Sequence, residues 1–134
     1  MTDEIPETSI VVIGAGQAGL SVSYYLTKLG LEAGHDFVVL DRGPATGGAW
    51  QHRWDALRIG SAHRINDLPG MDALGLSFDT TADRKAPAKQ VVADYYAQYE
   101  EHYQFHIVRP ANVTRVASEG ARLRVTFSLS LIHI

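Results

Sequence analysis

The sequence predicts an α/β fold: a strand–helix–strand unit with a parallel sheet, followed by a β-hairpin excursion. Three observations carry this. Two short β-branched runs, SIVVI at residues 9–13 and FVVL at residues 37–40, have the composition of strands buried on both faces. Between them lie a glycine turn and a stretch with Ala18, Val22, Leu26 and Leu29 at helical spacing. Further on, apolar alternation over residues 112–117 and 121–127 brackets Ser118-Glu119-Gly120, the pattern of a hairpin.

Each element has its own signal. The helix is expected over residues 17–29, with Gly30 as its stop. Residues 31–36 form a connection, and Asp41 stands at the C-terminal end of the second strand. Two strands joined by one helix within about 30 residues require a parallel pairing and a right-handed crossover. From Arg42 to about Ala88 the periodicity fails, and glycine, proline, aspartate and single aromatics dominate. A connection this long in a compact domain reads as an ordered functional loop region. Pro87 then precedes Val91, Val92, Tyr95, Tyr96 and Tyr99, which mark a helix to about Tyr103, its tyrosines facing the sheet. Residues 105–108 read as another short strand.

With 134 residues, 46% hydrophobic and 20% charged, the chain has the size and composition of about one soluble globular domain. A net charge of -3 gives no electrostatic basis for a nucleic-acid or anionic-membrane partner. The start, MTDEIPETS, is neither a signal nor a transit peptide, and no apolar run is long enough for a membrane span. A cytoplasmic location is expected. There is no cysteine, which excludes a thiolate metal site or a dithiol centre within these residues. His52, His63, His102 and His106 lack metal-ligand spacing, so no metal is expected.

The turn after the first strand is GAGQAG, Gly14 to Gly19, a G-x-G-x-x-G pattern that includes Gln17 and Ala18. Gly14 permits the tight exit from the strand, Gly16 lets backbone approach a pyrophosphate, and Gly19 lets helix and strand pack closely. The helix N-terminus then offers N–H groups and a positive dipole end to the phosphates. Asp41, about 20 residues on, is placed to accept hydrogen bonds from both ribose hydroxyls of an adenosine. The domain is therefore expected to be Rossmann-like and to bind a dinucleotide. An aspartate at that place favours FAD or NAD over NADP. Six residues later comes GGAWQHRW, residues 47–54, which holds both tryptophans of the chain. Gly47 and Gly48 allow close backbone approach, and Trp50 and Trp54 supply flat apolar walls. A ligand with an aromatic ring system beyond its ADP half fits both features, although core anchoring also accounts for each tryptophan. Arg53, Arg58 and Arg64 are candidate basic lining.

On these residues, IVVIGAGQAGL and VVLDRGPATGGAWQHRWDALRI, the chain resembles the N-terminal FAD-binding segment of the flavin-containing monooxygenases, and more broadly the flavoproteins with two dinucleotide-binding domains. The resemblance runs from about residue 9 to 128. It implies that Gly14, Gly16, Gln17, Ala18 and Gly19 hold the FAD pyrophosphate and that Asp41 and Arg42 meet the adenosine ribose. It also implies that Gly48 and Trp50 lie along the FAD, and that the backbone of Val113 meets the adenine. Disulfide reductases of that superfamily carry a Cys-x4-Cys pair after the glycine pair; Trp50 and Asp55 stand at those positions here, which points away from dithiol chemistry. The implied parent is an FAD enzyme using NADPH and dioxygen on a small-molecule substrate, with catalytic residues outside this chain. A non-catalytic dinucleotide-binding module and an FAD-linked dehydrogenase or non-dithiol reductase are the alternatives.

Residues 1–8 are expected to be a flexible N-terminus, and residues 9–128 an incomplete nucleotide-binding domain. The final LSLIHI continues the hairpin alternation, but it is also the in-frame translation of a transposase sequencing adapter. A truncated reading frame with a non-native tail at residues 129–134 is expected.

Overall fold

The computed structural model describes residues 7–43, 46–48, 50, 57–60 and 65–129. Strand β1 (Ile10–Ile13) leads through the glycine turn into helix α1 (Gln17–Lys28), and the chain returns as β2 (Phe37–Leu40). The two strands pair in parallel, Ile10 opposite Phe37 through Ile13 opposite Leu40. Helix α1 stops where the sequence places its glycine. Gly30 takes φ 90°, its N–H reaches Thr27 O at 3.0 Å, and the Leu31 N–H reaches Leu26 O at 3.1 Å. This reciprocal pair closes the last carbonyls of the helix and needs a left-handed residue between them.

Successive carbonyls of a strand point to opposite edges. At the end of β2, Leu40 O therefore accepts from Gly14 N at 2.7 Å, while Val39 O accepts from Val108 N at 2.9 Å. Val108 forms a parallel bridge with Leu40 on the edge away from β1. The expected strand at 105–108 is thus reduced to one bridge. Its reason is local: His106 sits in the left-handed region at φ 54°, so the segment cannot extend along the sheet until Val108.

Helix α2 (Ala88–Tyr103) begins after Pro87, whose φ of -58° suits a helix entry. Val92, Tyr95, Tyr96 and Tyr99 are its buried face, as the sequence predicts. They meet Phe37 and Val39, which lie two apart on one face of β2, together with Leu20, Phe105 and Met71. Full burial of a side chain of this size contributes about 1.5–3 kcal/mol. A 3-10 turn, Met71–Leu74, is stitched to α2 by tyrosine hydroxyls: Tyr99 donates to Pro69 O at 2.6 Å and Tyr103 to Gly70 O at 2.5 Å.

One expectation fails at β1. Val12 is buried, but Ile13 is 54% exposed, so this strand is covered on one face and not on both among the described residues. The hairpin consists of β3 (Ala111–Glu119) and β4 (Arg122–Leu129). Its turn is shorter and later than predicted, because Ser118 and Glu119 pair within β3. Glu119 pairs with Arg122, leaving Gly120 and Ala121 as the loop, and Gly120 at φ 65° takes the position that a type II′ turn reserves for glycine. The strand β4 includes Leu129, the first residue of the expected tail, opposite Ala111; residues 130–134 lie outside the described residues.

Two outcomes follow from this packing. A Cβ on Gly19 would stand 1.9 Å from Gly14 O, a backbone atom, so Gly19→Ala must push α1 off β1. A loss of at least about 1–3 kcal/mol in urea unfolding is expected, the cost of overpacking. Burial pushes the Tyr96 hydroxyl up to about 12. The stability it contributes is complete below the ordinary tyrosine pKa of about 10 and is lost as pH rises towards about 12. Denaturation midpoints at pH 9 and 12 should differ less in Tyr96→Phe than in the unmodified chain.

Candidate nucleotide-binding site

The turn between β1 and α1 builds the first wall of the site. Gly14 takes φ 101°, a conformation that side chains disfavour, and so the chain turns directly out of β1. Gly16 is the N-cap of α1, and no side chain caps this helix end. Gln17 and Ala18 are exposed at the first turn, while Ala15 is buried. The first N–H groups of α1 therefore open on the same side as the end of β2.

The second glycine loop is seated on the first. A Cβ on Gly48 would stand 2.8 Å from Gly16 Cα, and Gly48 itself has φ 53°. Gly47 is buried at φ 109°, and its carbonyl accepts from Trp50 N at 3.0 Å. Trp50 is half-buried and packs against the hydrophobic core. Its neighbours His52, Arg53, Trp54 and Asp55, with His63 and Arg64, lie outside the described residues. Arg42 and Arg58 are exposed. Val113 is half-buried near the start of β3, beside a bulge between Val113 and Arg115.

Asp41 is buried, and its two carboxylate oxygens have different partners. Oδ1 faces the Ala15 N–H at a long 3.4 Å, and Oδ2 accepts from Arg109 Nε at 2.8 Å. Arg109 then turns its fork away from Asp41: Nη1 and Nη2 donate to the two oxygens of Glu100 at 2.8 and 3.0 Å. All three side chains are at most 14% exposed. Desolvation works against the charge on Arg109, yet the hydrogen bonds to Glu100 and Asp41 outweigh it and raise its pKa. Sequence reasoning missed Arg109 and Glu100. The signal lay in the topology: Arg109 follows Val108 as Asp41 follows Leu40, so adjacent parallel segments bring the two residues side by side. Asp41 N donates to Val108 O at 3.0 Å and Ala111 N to Asp41 O at 2.7 Å, which fixes that register.

A parallel βαβ unit with a glycine turn, an uncapped helix N-terminus and a buried acid at the next strand end defines a Rossmann-like nucleotide-binding fold. Residues 11–133 match the family described as pyridine nucleotide-disulphide oxidoreductase, and the chain belongs to that family. It is 36% identical over 98 residues to an uncharacterized oxidoreductase, CzcO, of Bacillus velezensis, covering 72% of this chain and 25% of the relative. A mutant of the flavin monooxygenase from Stenotrophomonas maltophilia superimposes with a TM-score of 0.70 at 38% identity, over 90% of this chain and 33% of that one. The flavin-containing monooxygenase from the same organism gives 0.65 at 36%, over 89% of this chain and 33% of that one. The chain therefore spans about a quarter of the curated relative and a third of these structures. The resemblance to the N-terminal segment of such flavoproteins is borne out.

Gly48→Ala tests the contact between the two glycine loops. It combines a left-handed backbone with a backbone clash, so a loss of about 1–3 kcal/mol in thermal or urea unfolding is expected; Gly75→Ala, left-handed but with open space around it, should cost less.

Proposed function

We propose that this chain is the FAD-binding part of a flavin-dependent oxidoreductase, and that the whole protein is a monooxygenase using NADPH and dioxygen on a small-molecule substrate. One observation carries the dinucleotide reading: the Gly14-to-Gly19 turn opens an uncapped helix beside a buried Asp41. The choice of FAD over NAD rests on the second loop. Gly48 brings the chain against Gly16, so a ligand held at the first turn runs on towards Trp50. The likeness to flavin monooxygenases at 36–38% identity supports the same choice.

In this reading Gly14, Gly16, Gln17, Ala18 and Gly19 hold the pyrophosphate, and Asp41 accepts the ribose hydroxyls with Arg42 nearby. Gly48 and Trp50 flank the path towards the flavin, and the Val113 backbone meets the adenine. Bound FAD supplies the redox chemistry; these residues bind and orient it. The family is described as disulphide oxidoreductases, but these 134 residues contain no thiol, so any electron acceptor met by this segment is not a dithiol of its own.

Titration of the chain with FAD, followed by visible absorbance and flavin fluorescence, should show saturable uptake. Uptake of NAD with no response to FAD refutes the assignment. Asp41→Asn keeps the shape but weakens the charge-assisted acceptance, so the FAD Kd should rise by about tenfold to a hundredfold, or 1–3 kcal/mol.

A further inference from the structure

We infer that Arg109 and Glu100 are positioning residues for the nucleotide ribose: Glu100 holds the fork of Arg109 away from Asp41, so that Asp41 keeps two acceptor sites for the two ribose hydroxyls. This deepens the dinucleotide reading above and rests on it.

A carboxylate has about four lone-pair sites. At Asp41, the Arg109 Nε–H occupies one, and the Ala15 N–H is directed at another on the second oxygen. Two sites remain, as many as a ribose diol needs. A guanidinium beside a lone carboxylate ordinarily lies across it with two parallel hydrogen bonds. Here that arrangement would consume a third site. It is not made: only Nε reaches Asp41, and the end-on pair of Nη1 and Nη2 with the two Glu100 oxygens fixes the plane and position of the guanidinium. Glu100 comes from α2 and Arg109 from the segment beyond Val108, so the arrangement joins two elements that the glycine-turn pattern does not include. The burial of all three groups keeps water from competing for the same donors.

The test uses ADP and its 2′,3′-dideoxy analogue as competitors of FAD on the full chain, with Arg109→Lys and Glu100→Gln. The unmodified chain should prefer ADP over the dideoxy nucleotide by about tenfold. Each variant should lose most of that preference by weakening ADP alone, and in an Asp41→Asn background neither change should have a further effect. If both nucleotides weaken equally, or neither does, the inference is overturned while FAD binding stands. A chain that binds neither FAD nor ADP overturns both readings. Circular dichroism melts identify a variant that does not fold. Should Arg109→Lys be one, Glu100→Gln, which alters a single group, decides the matter alone.

Discussion

Four backbone hydrogen bonds at the C-terminal end of β2 hold the site together. Gly14 N reaches Leu40 O, Val108 N reaches Val39 O, Asp41 N reaches Val108 O, and Ala111 N reaches Asp41 O. They tie the glycine turn, the acid and the segment before the hairpin to one strand end. Because backbone groups in a sheet must be paired once they leave water, this junction leaves little freedom in the relative placement of the three segments. The side-chain arrangement at Asp41 is a consequence. Two parallel segments that end at the same level deliver their next residues, Asp41 and Arg109, to adjacent places.

Much of this was legible in the residues themselves. The glycine turn, the helix that follows it and the buried tyrosine face of α2 each arise from local rules: positive φ at Gly14 and Gly30, and helical spacing from Val92 to Tyr99. What was not legible depends on contacts between distant segments. A left-handed His106 keeps the expected strand off the sheet until Val108, and although histidine is among the residues that tolerate that conformation, nothing local marks this one of the six for it. The hairpin turn is shorter and later than predicted because pairing of Glu119 with Arg122 leaves Gly120 first in the loop. The Arg109–Glu100 pair spans a helix end and a strand end, and no sequence spacing announces it.

The molecule divides its charge pairs by environment. At Asp41 they are buried and share donors in a fixed pattern, whereas Arg124–Glu119 on the hairpin is half-exposed. Exposed pairs of that kind contribute little and are screened by salt. The hairpin also exposes Leu123, Phe127 and Leu129, while the polar apparatus around Asp41 is sheltered. Charge is thus held tightly at the buried end of β2 and loosely at the exposed hairpin turn.

The contact of Gly48 on Gly16 has a bearing on how such a chain can diversify. Where Gly48 meets Gly16 the loops touch through bare backbone, so that contact holds no side chain that could be exchanged to compensate a change in either one. At that contact, variation in the loop after Asp41 is therefore coupled to the first turn through shape. Anyone recombining segments between related flavoproteins must move the two loops as one unit, with the cut placed outside residues 14–48.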